Sequence, residues 1–212
     1  MAKSKFSENG IDISHWNKVT DFVQVKNSGV DFCIIKAGGS DKGFYTDRMF
    51  EDYYRLSKLA GLKVGAYYFV GPKFYGNISG ELDAKRFHKI IQGKSFDYPV
   101  VLDIETTAPA YKELATDACI SFCEYMESKG YYVSIYGSDI STFKDRLEID
   151  RLTKYDKWVA KYSKSKPTYV KDYGIWQKSS SGIVPGIIGN VDMDESFKDY
   201  QSIMIKHNLN RG

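Results

Sequence analysis

Eight short runs of apolar, β-branched and aromatic residues, the first six of them separated by segments of helical period, constrain this chain more than any other feature. The runs are GIDIS (10–14), DFCIIKA (31–37), KVGAYYFV (63–70), YPVVLDIE (98–105), YYVSIYGS (131–138), KWVAKY (157–162), YGIWQKS (173–179) and the weaker NVDMDES (190–196). Continuous apolar runs of this length read as strands buried on both faces. Between them lie TDFVQVKNSG (20–29), TDRMFEDYYRLSKLAG (46–61), SGELDAKRFHKIIQG (79–93) and TDACISFCEYMESKG (116–130), each with a capping candidate in front, Ser79 among them, and a glycine behind. A fifth segment, STFKDRLEIDRL (141–152), is shorter and carries a weaker helical signal. Strands joined by helices make a parallel sheet, and eight in this order predict an α/β fold closed as a shortened TIM-like (β/α)5(β)3 barrel, with a doubly wound open sheet as the alternative.

Bulk properties narrow the function classes. At 212 residues and 42% hydrophobic content the chain fills one compact domain. We expect an N-terminal tail over 1–8, a catalytic barrel over 9–200, and a C-terminal extension over 201–212 that forms a short packed helix or begins a linker. Thirty basic against 27 acidic residues, without a basic run, give no electrostatic case for nucleic acid. Cys33, Cys119 and Cys123 have no paired spacing; Cys119 and Cys123 read as small buried hydrophobes rather than metal ligands. His15, His88 and His207 are scattered, so neither a histidine metal site nor a Ser-His triad is expected. The opening MAKSKFSENG lacks an apolar signal core, and no run is long enough to span a membrane.

Barrel enzymes keep their chemistry at the C-terminal ends of the strands. Asp103 and Glu105 end the fourth run, point to the same face and stand roughly 7 Å apart, while Ile104 between them points into the helices. Two inward acids cost several kcal/mol unless paired or used. Asp12 alone, before SHWN, reads first as a cap, and Asp192 alone says little; closure of strand one on strand eight would join them across the mouth from the pair. Four carboxylates in one cavity raise one another's pKa, which suits glycosidic cleavage: a retained proton for the leaving oxygen, ionised groups for the charge developing on the sugar. Asp194 and Glu195 read as solvated. Tyr67, Tyr68, Tyr136, Tyr162 and Trp176 also gather near strand ends; each is ordinary core taken singly, but together they suit the stacking of sugar rings.

In these residues the chain resembles the family 25 glycoside hydrolases, lysozymes of the Chalaropsis type found in phage endolysins and bacterial autolysins. GIDIS, DFCIIKA, VGAYYF, VVLDIE, KWVAKY and WQKSSSGIVPGIIGNVDMDESF are similar to the family's motifs, in order, over about residues 9–197. The resemblance implies the (β/α)5(β)3 barrel and cleavage of the β-1,4 bond after N-acetylmuramic acid in peptidoglycan. It implies Glu105 as proton donor, Asp103 as partner acid and Asp12 and Asp192 as the remaining groove carboxylates, with Lys36, Tyr67, Tyr68, Tyr136 and Trp176 as sugar contacts. No cofactor or metal, no membrane insertion and a monomer are the accompanying expectations, with action at the bacterial cell wall after holin-dependent release or as a processed form. Two departures stand out: Tyr68 where the family usually has His, and AGGS (37–40) in place of Ala-Thr-Glu-Gly. Both bear on substrate contacts and neither removes a carboxylate. Two other readings compete: a non-catalytic carbohydrate-binding barrel, which would lose an essential acid, and a metal-dependent hydrolase, whose activity a chelator would abolish.

Overall fold

The computed structural model describes residues 6–212. Eight strands appear where the apolar runs predict them: β1 Glu8–Ile13, β2 Phe32–Gly39, β3 Lys63–Phe69, β4 Val100–Asp103, β5 Val133–Ser138, β6 Asp156–Ala160, β7 Ile175–Gly182 and β8 Val191–Ser196. Strands β1 to β7 run parallel in sequence order, β8 lies antiparallel between β7 and β1, and the pairing of β1 with β2 completes a closed barrel. The open doubly wound sheet is thereby excluded. Of the expected tail, residues 1–5 lie outside the described residues, and Glu8 already belongs to β1.

Strand alternation splits the core into two layers. Ile11, Ile35, Val64, Leu102, Ile104 and Ile135 face the helices with Cys33, Cys119 and Cys123, whereas Ile34, Tyr67, Val101, Tyr136, Trp158 and Ile175 fill the barrel. The helices are α1 Phe22–Asn27, α2 Phe50–Leu59, α3 Gly76–Ile91 and α4 Lys112–Ser128. All four are followed by the expected glycine, at positive φ in each case, because the chain reverses there through the left-handed region. Asp21 caps α1 through the amides of Val23 and Gln24. Ser79 and Thr116 are not caps: α3 and α4 begin earlier, and Thr116 Oγ1 instead donates to the Lys112 carbonyl.

The fifth helix is absent. Residues 141–152 form successive turns and a 3₁₀ turn at Ile149–Leu152. Phe143 and Leu147 reach the core, but the Glu148 amide leaves the helical ladder for Thr116 Oγ1 (2.9 Å), and so short a segment cannot propagate on its own.

At the opposite end of the barrel from the strand C-termini, helix α5 Tyr200–His207 acts as a plug. Tyr200 is fully buried against Tyr98 and Tyr132, and its hydroxyl donates to Asp156 (2.6 Å). Buried Asn210 bonds Tyr98, Gly130 and Tyr132, fastening the end of the chain to the barrel floor.

Candidate active site

Strand β4 is hydrogen-bonded on both sides, with Asp103 opposite Phe69 of β3 and Tyr136 of β5, so its side-chain directions are fixed. Asp103 is 4% exposed and its Oδ1 has no partner among the described residues. Glu105 lies one pleat farther out, open to the mouth, and Ile104 between them is buried on the helix side. Burial and then the charge of Glu105 push the Asp103 carboxyl well up; Lys36 opposes. Glu105 is raised too, chiefly because protein surrounds it on the sides away from the groove. Two acids so placed ionise in separate steps and keep a proton between them above the ordinary carboxylate range.

Across the mouth, closure of the barrel sets Asp12 directly opposite Asp192, as the strand order predicts. Asp12 does not act as a cap: Asn17 Oδ1 takes the Ser14 amide, while Asp12 is 6% exposed and accepts from Gln177 Nε2 (2.7 Å). The Gln177 carbonyl oxygen in turn accepts from Tyr136 (2.7 Å) and Tyr162 (3.0 Å), which orients the amide toward Asp12.

Asp194 corrects the reading of that residue as solvated. It is 0% exposed, accepts from Trp158 Nε1 (2.8 Å) and faces Asp12, and burial raises its carboxyl to about 8. Asp12 is raised by burial first and then by the charges of Asp194 and Asp192; Asp192 is itself raised by burial. Gln177, Trp158 and Asp194 were therefore missed as site residues. The alternation of β8 places Asp194 on the same face as Asp192 and was the signal available for it.

The aromatic expectations divide. Tyr67 and Tyr136 do line the interior below the acids, but both are buried, Tyr67 edge-on to Trp158. Lys36 reaches into the same space, its Nζ 4.5 Å from the Phe69 ring centroid. Tyr68 is a correction: it points outward, fully buried against Phe87 and Phe122, with its hydroxyl on Asp83, so it cannot touch a ligand among the acids. Trp176 lies away from the acids, since alternation puts Gln177 inside and Trp176 outside, its Nε1 on the Lys161 carbonyl. It forms part of a groove of about 670 Å³ that Tyr162, 57% exposed, shares on the β6–β7 side. On the β1–β2 side a groove of about 450 Å³ is lined by Tyr45 and by Trp16, 81% exposed. The stacking surfaces open to a glycan are thus rim residues rather than the inward tyrosines.

Comparison with known proteins agrees with this architecture. The pattern described as glycosyl hydrolases family 25 matches residues 11–187. The chain is 33% identical over 186 residues to the autolytic lysozyme of Clostridium acetobutylicum, covering 88% of this chain and 55% of that protein, so it spans about half the length of that relative. Among solved structures, the CTP1L endolysin superposes with a TM-score of 0.79 at 28% identity, covering 94% of this chain and 69% of the other. The bacterial lysozyme from Streptomyces coelicolor superposes with a TM-score of 0.78 at 25% identity, covering 92% of this chain and 94% of the other.

Proposed function

The chain belongs to glycosyl hydrolase family 25, and from that premise we propose that it is a muramidase, hydrolysing the β-1,4 bond between N-acetylmuramic acid and N-acetylglucosamine in bacterial peptidoglycan. The observation that carries the reading is the convergence of Asp12, Asp103, Glu105 and Asp192 on one barrel mouth, every one with its pKa raised. A group that keeps its proton near neutral pH is what departure of a sugar hydroxyl requires. In this reading residues 9–200 are the catalytic barrel and α5 seals its floor.

Glu105, the acid with access to the groove, donates its proton to the glycosidic oxygen. At rest the pair shares a proton that burial and the Glu105 charge draw toward Asp103; its passage to Glu105 for donation leaves Asp103, one pleat deeper, ionised to face the positive charge growing at the anomeric carbon. Lys36 biases the proton distribution by favouring the ionised forms of both. The substrate's own 2-acetamido oxygen supplies the nucleophile, oriented by the carboxylates, and water completes the hydrolysis to leave a muramic acid reducing end. Tyr162 and Trp16 supply stacking surfaces to either side.

The test is loss of turbidity of purified Gram-positive cell walls, with mass spectrometry of the released reducing ends. Wild type should release muramic acid ends, and Glu105→Gln should do so at least ~100-fold more slowly. Binding of walls with no sugar released by wild type would instead make the chain a carbohydrate-binding barrel.

A further inference from the structure

The two departures from the family pattern meet at one point in space. Ser40, the last residue of AGGS, and Tyr68 both donate to Asp83 of α3, through Oγ to Oδ2 (2.9 Å) and Oη to Oδ1 (3.2 Å). Arg86 Nη1 joins them on Oδ1 (3.1 Å). Ser40, Asp83 and Arg86 line a pocket of about 360 Å³ walled by the loops after β2 and β3 and by α3, while Tyr68 is fully buried and supports Asp83 from outside that lining.

The walls are held closed by backbone contact. A Cβ on Gly71 would lie 2.8 Å from Asp41 Cα and 2.9 Å from the Ser40 carbonyl oxygen, so the two loops touch only because position 71 has no side chain. Gly39 is required in the same way: a side chain there would strike the Phe69 carbonyl and the Tyr45 hydroxyl. The Glu of the usual family pattern therefore cannot return without displacing Tyr45.

The lining has a definite chemical preference. Lys42 and Lys73 stand exposed at the rim and Arg86 reaches in from α3, giving three cations against Asp41 and an Asp83 already satisfied by three donors. Asp41 Oδ1 is buried and has no donor among the described residues. A ligand matched to this lining brings a carboxylate for the cations and an N–H for Asp41, which is the pairing a peptide offers. Asp41 also links the pocket to the acids. Its charge helps to raise the Tyr45 hydroxyl, the Tyr45 ring lies 5.7 Å from Lys36 Nζ, and Lys36 acts on both Asp103 and Glu105.

We propose that this pocket is a subsite for the peptide arm carried by the muramic acid residue, holding its free carboxylate on Lys42, Lys73 and Arg86 and an arm amide on Asp41. The inference rests on the muramidase reading. It makes the chain selective for glycan whose peptide arms end in a free carboxylate over glycan without arms.

Wild type and a Lys42→Ala/Lys73→Ala variant are assayed on peptide-bearing glycan strands and on the same strands stripped of peptide by an amidase. Wild type should favour the peptide-bearing strands in kcat/KM, and the variant should reduce that preference about tenfold, through KM. Equal use of both strands by wild type, or a preference that survives in the variant, overturns the proposal. Failure of wild type to cleave either preparation sinks the muramidase reading instead. The pocket is then judged by titrating the chain with an N-acetyl tripeptide bearing a free carboxylate and with its C-terminal amide. Saturable binding of the acid form, weakened by salt, upholds the pocket; equal binding of both forms, or none, overturns it.

Discussion

Asp194 shows how much one side chain's direction decides. A carboxylic acid with no solvent exposure is costly unless its proton and its hydrogen bonds are arranged, and here Trp158 Nε1 serves one oxygen while the other faces Asp12. With its carboxyl raised to about 8, the folded chain keeps a proton through the range in which an unfolded chain, with an ordinary carboxylate near 4, has released it. Stability from this group is therefore fully present below about pH 4, falls as pH rises through that window, and is lost once the folded carboxyl ionises above about 8. Asp194→Asn keeps an oxygen for Trp158 and offers an N–H to Asp12. It should flatten the decline in unfolding free energy between about pH 5 and pH 8, measured by urea titration at each pH. An unchanged slope would mean that Asp12 and Asp194 do not hold a proton in common.

Among the elements, the loop between β6 and β7 carries Tyr162 and has neither helix nor strand pairing to hold it. Its middle is held chiefly by Asp139, whose carboxylate accepts from the amides of Thr168, Tyr169 and Val170. Burial works against ionisation of Asp139, but the three N–H groups outweigh it and hold the carboxyl below its ordinary value. Asp139→Ala leaves those donors unpaired and should cost about 2 kcal/mol of stability. Hydrogen exchange provides the local check: amides 168–170 should lose protection more than those of β4. The absent fifth helix belongs to the same scale. Phe143 and Leu147 of that segment reach the core, yet the Glu148 amide is taken by Thr116 of α4 and a helix does not grow.

For the molecule as a whole, the floor matters as much as the mouth. Tyr200 and Met204 of α5 enter the inner core, and Gly174 lacks a side chain where the Tyr200 hydroxyl sits. Tyr200→Ala should lower stability by about 4 kcal/mol in guanidinium unfolding, because the barrel cannot collapse around the void. Tyr200→Phe should cost only ~1 kcal/mol, since Asp156 keeps Tyr132, Lys198 and the Lys157 amide as donors. A small difference between the two variants would show that α5 covers the barrel without filling it.

Local chemistry in the sequence determined the strands, four of the five expected helices and the shared face of Asp103 and Glu105, because apolar period, glycine stops and strand alternation act over a few neighbouring residues. Alternation also carried the outward direction of Tyr68, since Tyr67 points in, although the family resemblance implies both as sugar contacts. Only the tertiary structure decided the rest. The antiparallel entry of β8 buries Asp194 against Asp12, the register of β7 sends Gln177 inward and Trp176 outward, and the contact of two loops with α3 brings Ser40 and Asp83 to one pocket, with Tyr68 on Asp83. Each of these depends on how distant segments meet when the barrel closes, and a closure fixed by the whole circle of strands leaves little trace in any one of them.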